Sequence, residues 1–234
     1  MIPIGDTVQR RNRAWMTWLL IAANAWVFLV QILMGRGQVE AFLGRYALVP
    51  ASPHARTFVS HMFLHVGLAH LIGNVWFLWL LGDNVEDRMG PFRFLAFYLL
   101  CGLAAAAAQF LIGPSSPVPM VGASGAIAGV LGAYLVLYPR APVTVFVFIF
   151  FLSLPAWLVV GFWFVWNLLG GVGSLLPTSQ DSTAFFAHIG GFLGGMLLVR
   201  PLIRRRRDDL GRWEGWRQPT RRSRSRYEAW RDYR

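Results

Sequence analysis

Residues 184–203 read AFFAHIGGFLGGMLLVRPLI. These twenty positions carry no charge before Arg200 and hold one polar side chain, His188, near their start. A helix of ~20 apolar residues is what a bilayer's hydrocarbon core requires, so the stretch predicts a membrane span from Ala184 to Ile203. Gly191 and Gly195, four apart, give it a small-xxx-small face on which another helix can pack backbone to backbone.

The composition outside this stretch agrees. Of 234 residues, 56% are hydrophobic and only 14% charged, with a mean hydropathy of +0.47. All 22 basic residues are arginine, and 13 of them lie from Arg200 onward. A soluble fold needs charge throughout to cover its surface, so the solvent for most of this chain is lipid. Its basic pI, near 11.3, comes from ends that flank apolar segments, a placement that fits membrane orientation better than nucleic acid. The single cysteine, Cys101, excludes an intrachain disulfide and a Cys-based metal site.

Working back along the chain, the first apolar run is Trp15 to Met34, preceded by Arg10, Arg11 and Arg13. It is longer than the ~7–15 residues of a signal-peptide core and reads as an uncleaved helix. Further spans are expected from about Phe58 to Leu81, from Pro91 to Ile112 and from Ser124 to Tyr138, the last one short. Residues 141–173 are too long for one straight helix. Pro155 divides them into an extended, interface-hugging lead-in, rich in β-branched and aromatic residues over Val143 to Phe151, and a fifth helix at 156–173. The expected fold class is all-α: a polytopic membrane protein, a bundle of six transmembrane helices. Its parts are a cytoplasmic N-terminal segment 1–14, a membrane domain 15–203 and a basic cytoplasmic tail 204–234.

Six spans put both termini on one side. The N-terminal end, a charged turn at 82–90, Arg140 and the tail hold most of the arginine, which assigns them to the cytoplasm. Loops 113–123 and 174–183, opposite, contain only Asp181. Loop 35–57, with three arginines, breaks the pattern; either it lies partly in the interface or the topology differs there. The expected location is the plasma (inner) membrane of a prokaryote. The tail mixes arginine with Trp213, Trp216, Tyr227, Trp230 and Tyr233 and reads as a solvated positive-inside segment, or one lying on anionic lipid.

Unpaired polar groups cost several kcal/mol in hydrocarbon, so His70, Asn74, Ser124 and His188 call for an explanation. His70 and Asn74 are four apart and share a helix face; they could join helices, or donate hydrogen bonds to a substrate. His61 and His65 share a face too. Met62 stands where a zinc-protease motif needs an acid, and no carboxylate is near, so a structural role is favoured over a metal site. Ser124 could be a helix N-cap among packing glycines, Gly122, Gly125, Gly129 and Gly132. The same features also set a hydroxyl beside free N–H groups at a helix start. Packing the Gly125/Gly129 face on the Gly191/Gly195 face would bring Ser124 and His188 to comparable depth, where an imidazole can take the serine proton. With no acid inside the spans, the arrangement is a dyad; His70 and Asn74 become candidate oxyanion donors beside the Ser124 N–H.

The residues His61-Met62-Phe63-Leu64-His65, His70-Leu71-Ile72-Gly73-Asn74, Gly82 through Glu86 to Gly90, Gly122-Ala123-Ser124-Gly125 and Ala187-His188-Ile189-Gly190-Gly191 resemble, in order and spacing, the rhomboid family of intramembrane serine proteases. The resemblance covers about residues 40–200. It implies a serine endopeptidase with nucleophile Ser124, general base His188 and oxyanion donors His70 and Asn74. It also implies a water-accessible cavity open to the outside of the membrane, and substrates that are single-pass membrane proteins admitted sideways near the fifth helix. Partners would be transmembrane substrates and the lipid bilayer, with no nucleic acid; no cofactor and no metal is implied, and the oligomeric state is left open. Some members stack an aromatic, four residues after the serine, on the histidine; here that position is Ala128, so another group must hold His188. The alternatives are a catalytically silent family member that binds or escorts transmembrane clients, and a small transporter or channel.

Overall fold

A computed structural model describes residues 1–174 and 184–203. The tail expected to be cytoplasmic lies outside the described residues, as does most of loop 174–183. Nine helices are seen among the described residues: α1 (Trp15–Leu33), α2 (Arg36–Tyr46), α3 (Thr57–Ser60), α4 (Leu68–Phe77), α5 (Asp83–Met89), α6 (Pro91–Ile112), α7 (Ser124–Leu137), α8 (Ala156–Ser174) and α9 (Phe185–Leu202). A 3-10 turn, His61–Phe63, extends α3, and a π-helical stretch, Leu78–Gly82, joins α4 to α5.

The protein is a mostly helical, polytopic membrane protein. Four helices, α1, α6, α8 and α9, are each long and apolar enough to cross a membrane. A fifth candidate is the pair Thr57–Phe63 and Leu68–Met89, bent by 96° at its break, where one continuous helix from Phe58 was expected. The shorter α7 has 14 residues, about 21 Å at 1.5 Å per residue against a ~30 Å core. Large apolar side chains face outward on these helices: Leu111 is 78% exposed and Leu197 76%. Water does not tolerate such a surface; lipid does.

Helix α7 forms the centre. Every residue from Gly125 to Tyr134 is buried, so neighbours surround it on all sides. The glycines decide how close they come. A Cβ on Gly191 would run into the Gly125 carbonyl, one on Gly195 into the Gly129 carbonyl, and one on Gly132 into the Phe192 carbonyl. The expected Gly-to-Gly packing of the fourth and sixth apolar helices is therefore what joins α7 to α9. Gly190 and Gly194 do the same on the other side of α9, against Ala108 and Ala104 of α6.

One sequence expectation needs correction. The stretch 82–90 is not a charged turn: most of it is helix α5, with Asp83, Asn84, Glu86 and Asp87 buried. Burial is possible because each acid finds a donor. Glu86 accepts from Met16 N (3.0 Å), Thr17 N (2.7 Å) and Thr17 Oγ1 (2.7 Å), satisfying N–H groups that the first turn of α1 leaves without helical acceptors. Asp87 accepts from the Asn12 backbone and side chain, and Asp83 pairs with Arg10 at 2.6 Å.

The mostly helical fold also carries a small three-stranded sheet. The β-branched lead-in to α8 is a hairpin, β2 (Pro142–Val147) and β3 (Phe150–Pro155), and residues expected to be a plain terminal segment add β1 (Ile2–Asp6) antiparallel to β2, with Ile2 opposite Phe146. Asp6 fixes the strand, accepting from Asn84 Nδ2 at 2.7 Å and from the Tyr134 hydroxyl at 2.6 Å. The Trp76 indole donates to Pro3 O at 2.7 Å.

Candidate active site

Ser124 is the first residue of α7, and no side chain caps that end. The N–H groups of a helix's first turn have no acceptor within the helix and carry the positive end of its dipole. His188 lies in the first turn of α9. The close α7–α9 packing through Gly125 and Gly191 sets the two side chains together, and His188 Nε2 is 2.8 Å from Ser124 Oγ.

His70 and Asn74 come from α4. Asn74 Nδ2 donates to His70 O at 3.0 Å, which uses one of its two N–H bonds. The His70 ring is placed against Gly122. That glycine sits at φ +114°, a conformation that disfavours any side chain. A Cβ there would meet the His70 ring at 2.7 and 2.8 Å, and Ser124 Oγ at 3.7 Å. Gly122 thus leaves room for a ring beside the serine. All four residues line one cavity of about 240 Å³, with Gly73, Phe77 and Trp163 among its other walls.

His61 and His65 are not part of that cavity wall. The His61 Nδ1 lies 2.8 Å from Thr57 O. His65 is buried between Phe28 and His70, with ring centroids 6.5 and 5.1 Å away. Its backbone exchanges hydrogen bonds with the Gln31 amide, tying α1 to the bend before α4. Among the described residues, no three His, Cys, Asp or Glu side chains are grouped to hold a metal ion.

Two neighbours of His188 escaped the sequence reading. Asn167 of α8 places Oδ1 2.6 Å from His188 Nδ1, and its Nδ2 donates to Trp163 O at 2.8 Å. The Trp163 ring lies 5.9 Å from the imidazole, tilted by 41°. The aromatic that Ala128 cannot supply thus comes from α8. A signal for Asn167 was present: it is the polar residue of an otherwise apolar span, and such residues require a partner.

Residues 52–205 match the family model described as the Rhomboid domain. The chain is 33% identical over 192 residues to the Rhomboid protease GluP of Bacillus subtilis, covering 80% of this chain and 34% of that protein. It is 30% identical over 173 residues to the Rhomboid protease GlpG of Yersinia enterocolitica, covering 74% of this chain and 57% of that one. With the mitochondrial Rhomboid protein 1 of Saccharomyces cerevisiae it shares 29% over 173 residues, covering 66% and 46% respectively. The chain thus spans less than two thirds of the length of each of these relatives.

Proposed function

The chain belongs to the rhomboid family, and we propose that it is a serine endopeptidase that hydrolyses peptide bonds in or near transmembrane segments of membrane-anchored proteins. The observation that carries this reading is the 2.8 Å separation of Ser124 Oγ and His188 Nε2 inside a cavity shared with His70 and Asn74. A hydroxyl at its ordinary acidity is a poor nucleophile and needs an adjacent base.

In the proposed reaction His188 Nε2 takes the Ser124 proton as Oγ attacks the scissile carbonyl carbon. The oxyanion forms beside the Ser124 N–H, the His70 ring and the remaining Asn74 N–H. Collapse of the tetrahedral species breaks the C–N bond, and His188 returns the proton to the leaving amine. Water then attacks the Ser124 ester by the same route, releasing the new carboxylate. Removing one such oxyanion donor typically costs about 2.7–4 kcal/mol of transition-state stabilisation.

A membrane-anchored substrate is favoured by what adjoins the site. Phe77, Leu131 and Trp163 wall both the site cavity and an apolar groove of about 270 Å³, further lined by Leu81, Val160 and Trp166. An extended segment leaving a lipid-embedded helix suits such a groove; a soluble polar peptide does not. We further assign six spans, counting the bent pair and α7, with both termini at the arginine-rich cytoplasmic face of a prokaryotic plasma membrane.

The test is co-expression with a tagged single-pass reporter. Cleavage should occur with the wild type and vanish in both Ser124→Ala and His188→Ala. Cleavage that persists in both variants refutes the protease reading; an unchanged cellular phenotype in Ser124→Ala, without any cleavage by the wild type, favours a client-binding role.

A further inference from the structure

We propose that Asn167 is a positioning residue that holds His188 in the tautomer protonated at Nδ1, leaving Nε2 bare to act as base; the inference rests on the protease reading above.

The asparagine amide has two chemically distinct ends. Its oxygen can only accept and its nitrogen can only donate. The Trp163 carbonyl, 2.8 Å from one end of the amide, requires that end to be Nδ2. The other end, 2.6 Å from His188 Nδ1, is therefore Oδ1. An acceptor at that distance requires a hydrogen on Nδ1. A neutral imidazole carries one N–H, so Nε2 has a free lone pair, and the Ser124 hydroxyl donates to it across 2.8 Å. One backbone carbonyl of α8 thus sets the amide, the amide sets the tautomer, and the tautomer sets which nitrogen faces the nucleophile.

Burial makes the contact consequential. Asn167 is 5% exposed, so bulk water does not readily replace it. When His188 takes the serine proton it becomes an imidazolium with two N–H groups, and the amide oxygen already receives one of them. A carboxylate would serve the same purpose in a soluble enzyme, but a fixed charge is expensive inside a bilayer and an amide is not charged. Asn167 also restrains ring rotation, together with the tilted Trp163 ring beside the imidazole. This supplies from α8 the support that an aromatic at Ala128 would have given from α7.

The experiment compares purified full-length wild type, Asn167→Leu and Asn167→Asp on a transmembrane reporter, with kcat and KM measured separately. Aspartate presents an acceptor to Nδ1 whether ionised or protonated, whereas leucine presents none. The expected result is a loss of about 10- to 100-fold in kcat for Asn167→Leu at unchanged KM, and kcat restored to within a few-fold in Asn167→Asp. Full kcat in Asn167→Leu, a loss as large in Asn167→Asp, or a change confined to KM overturns the proposal. Nitrogen NMR of the wild type, with the His188 signals assigned by their absence from His188→Ala, needs no variant at 167. Protonated Nδ1 and bare Nε2 are expected, and the opposite tautomer overturns the proposal even if Asn167→Leu does not fold. If the wild type cleaves nothing, the protease reading fails by itself, and the tautomer still decides the role of Asn167.

Discussion

Glu86 and Thr17 meet at one end of the bundle: one carboxylate oxygen of Glu86 accepts from both the backbone N–H and the hydroxyl of Thr17, at 2.7 Å each. The other oxygen takes the Met16 N–H. Buried donors left without an acceptor cost about 1–3 kcal/mol each. Glu86→Ala should therefore destabilise the protein by about 3 kcal/mol or more, read as a lower thermal midpoint in detergent. An unchanged midpoint would mean that the cap contributes nothing.

That contact also marks the limit of what the sequence reveals. Local signals placed α1, α6, α8 and α9 within a residue or two, because apolar length and flanking charge act along the chain. The glycine spacing on α7 and α9 foretold their contact, and with it the meeting of Ser124 and His188. What stayed hidden depends on distant partners. Asp83, Glu86 and Asp87 read as a solvated turn because the donors that neutralise them lie about seventy positions away. β1 has no local signature either, since Ile2 is held by Phe146. Asn167 went unnoticed for the same reason: its partner, His188, lies on a different helix.

The α7–α9 contact should be intolerant of a single methyl. A Cβ on Gly191 meets the backbone carbonyl of Gly125, which cannot swing aside as a flexible side chain would. Overpacking costs about 1–3 kcal/mol. Gly125 adjoins Ser124, and a displacement near 1 Å at a reacting pair can cost about 100-fold in rate. Gly191→Ala is expected to lower both the thermal midpoint and kcat; wild-type values of both would show that the helices have slack.

Substitution of the α4 donors should separate binding from catalysis. In Asn74→Ala and His70→Ala, kcat is expected to fall by about 100- to 1,000-fold while KM changes little. Loss expressed mainly in KM would place these residues in substrate binding instead. Gly122→Ala should behave like His70→Ala, because the added methyl occupies the space of that ring.

Asp6 should make the β1 contact sensitive to pH. Burial raises its carboxyl above its ordinary value of 3.8, opposed in part by the Tyr134 hydrogen bond. A raised carboxyl means that the folded protein binds the proton more tightly than the unfolded chain. The stabilisation is then largest below the ordinary value and declines as pH rises through the raised one. The stability difference between wild type and Asp6→Ala should widen on acidification; a gap independent of pH would contradict the assignment.

The central claim is that Ser124 is a nucleophile activated by His188, and the most direct measurement is covalent labelling with a fluorophosphonate probe followed by mass mapping of the adduct. The adduct is expected on Ser124 in the wild type and absent in Ser124→Ala and His188→Ala, with both variants folded. A wild-type protein that cleaves its reporter yet carries no adduct at Ser124, or labelling of Ser124 that is undiminished without His188, would contradict it.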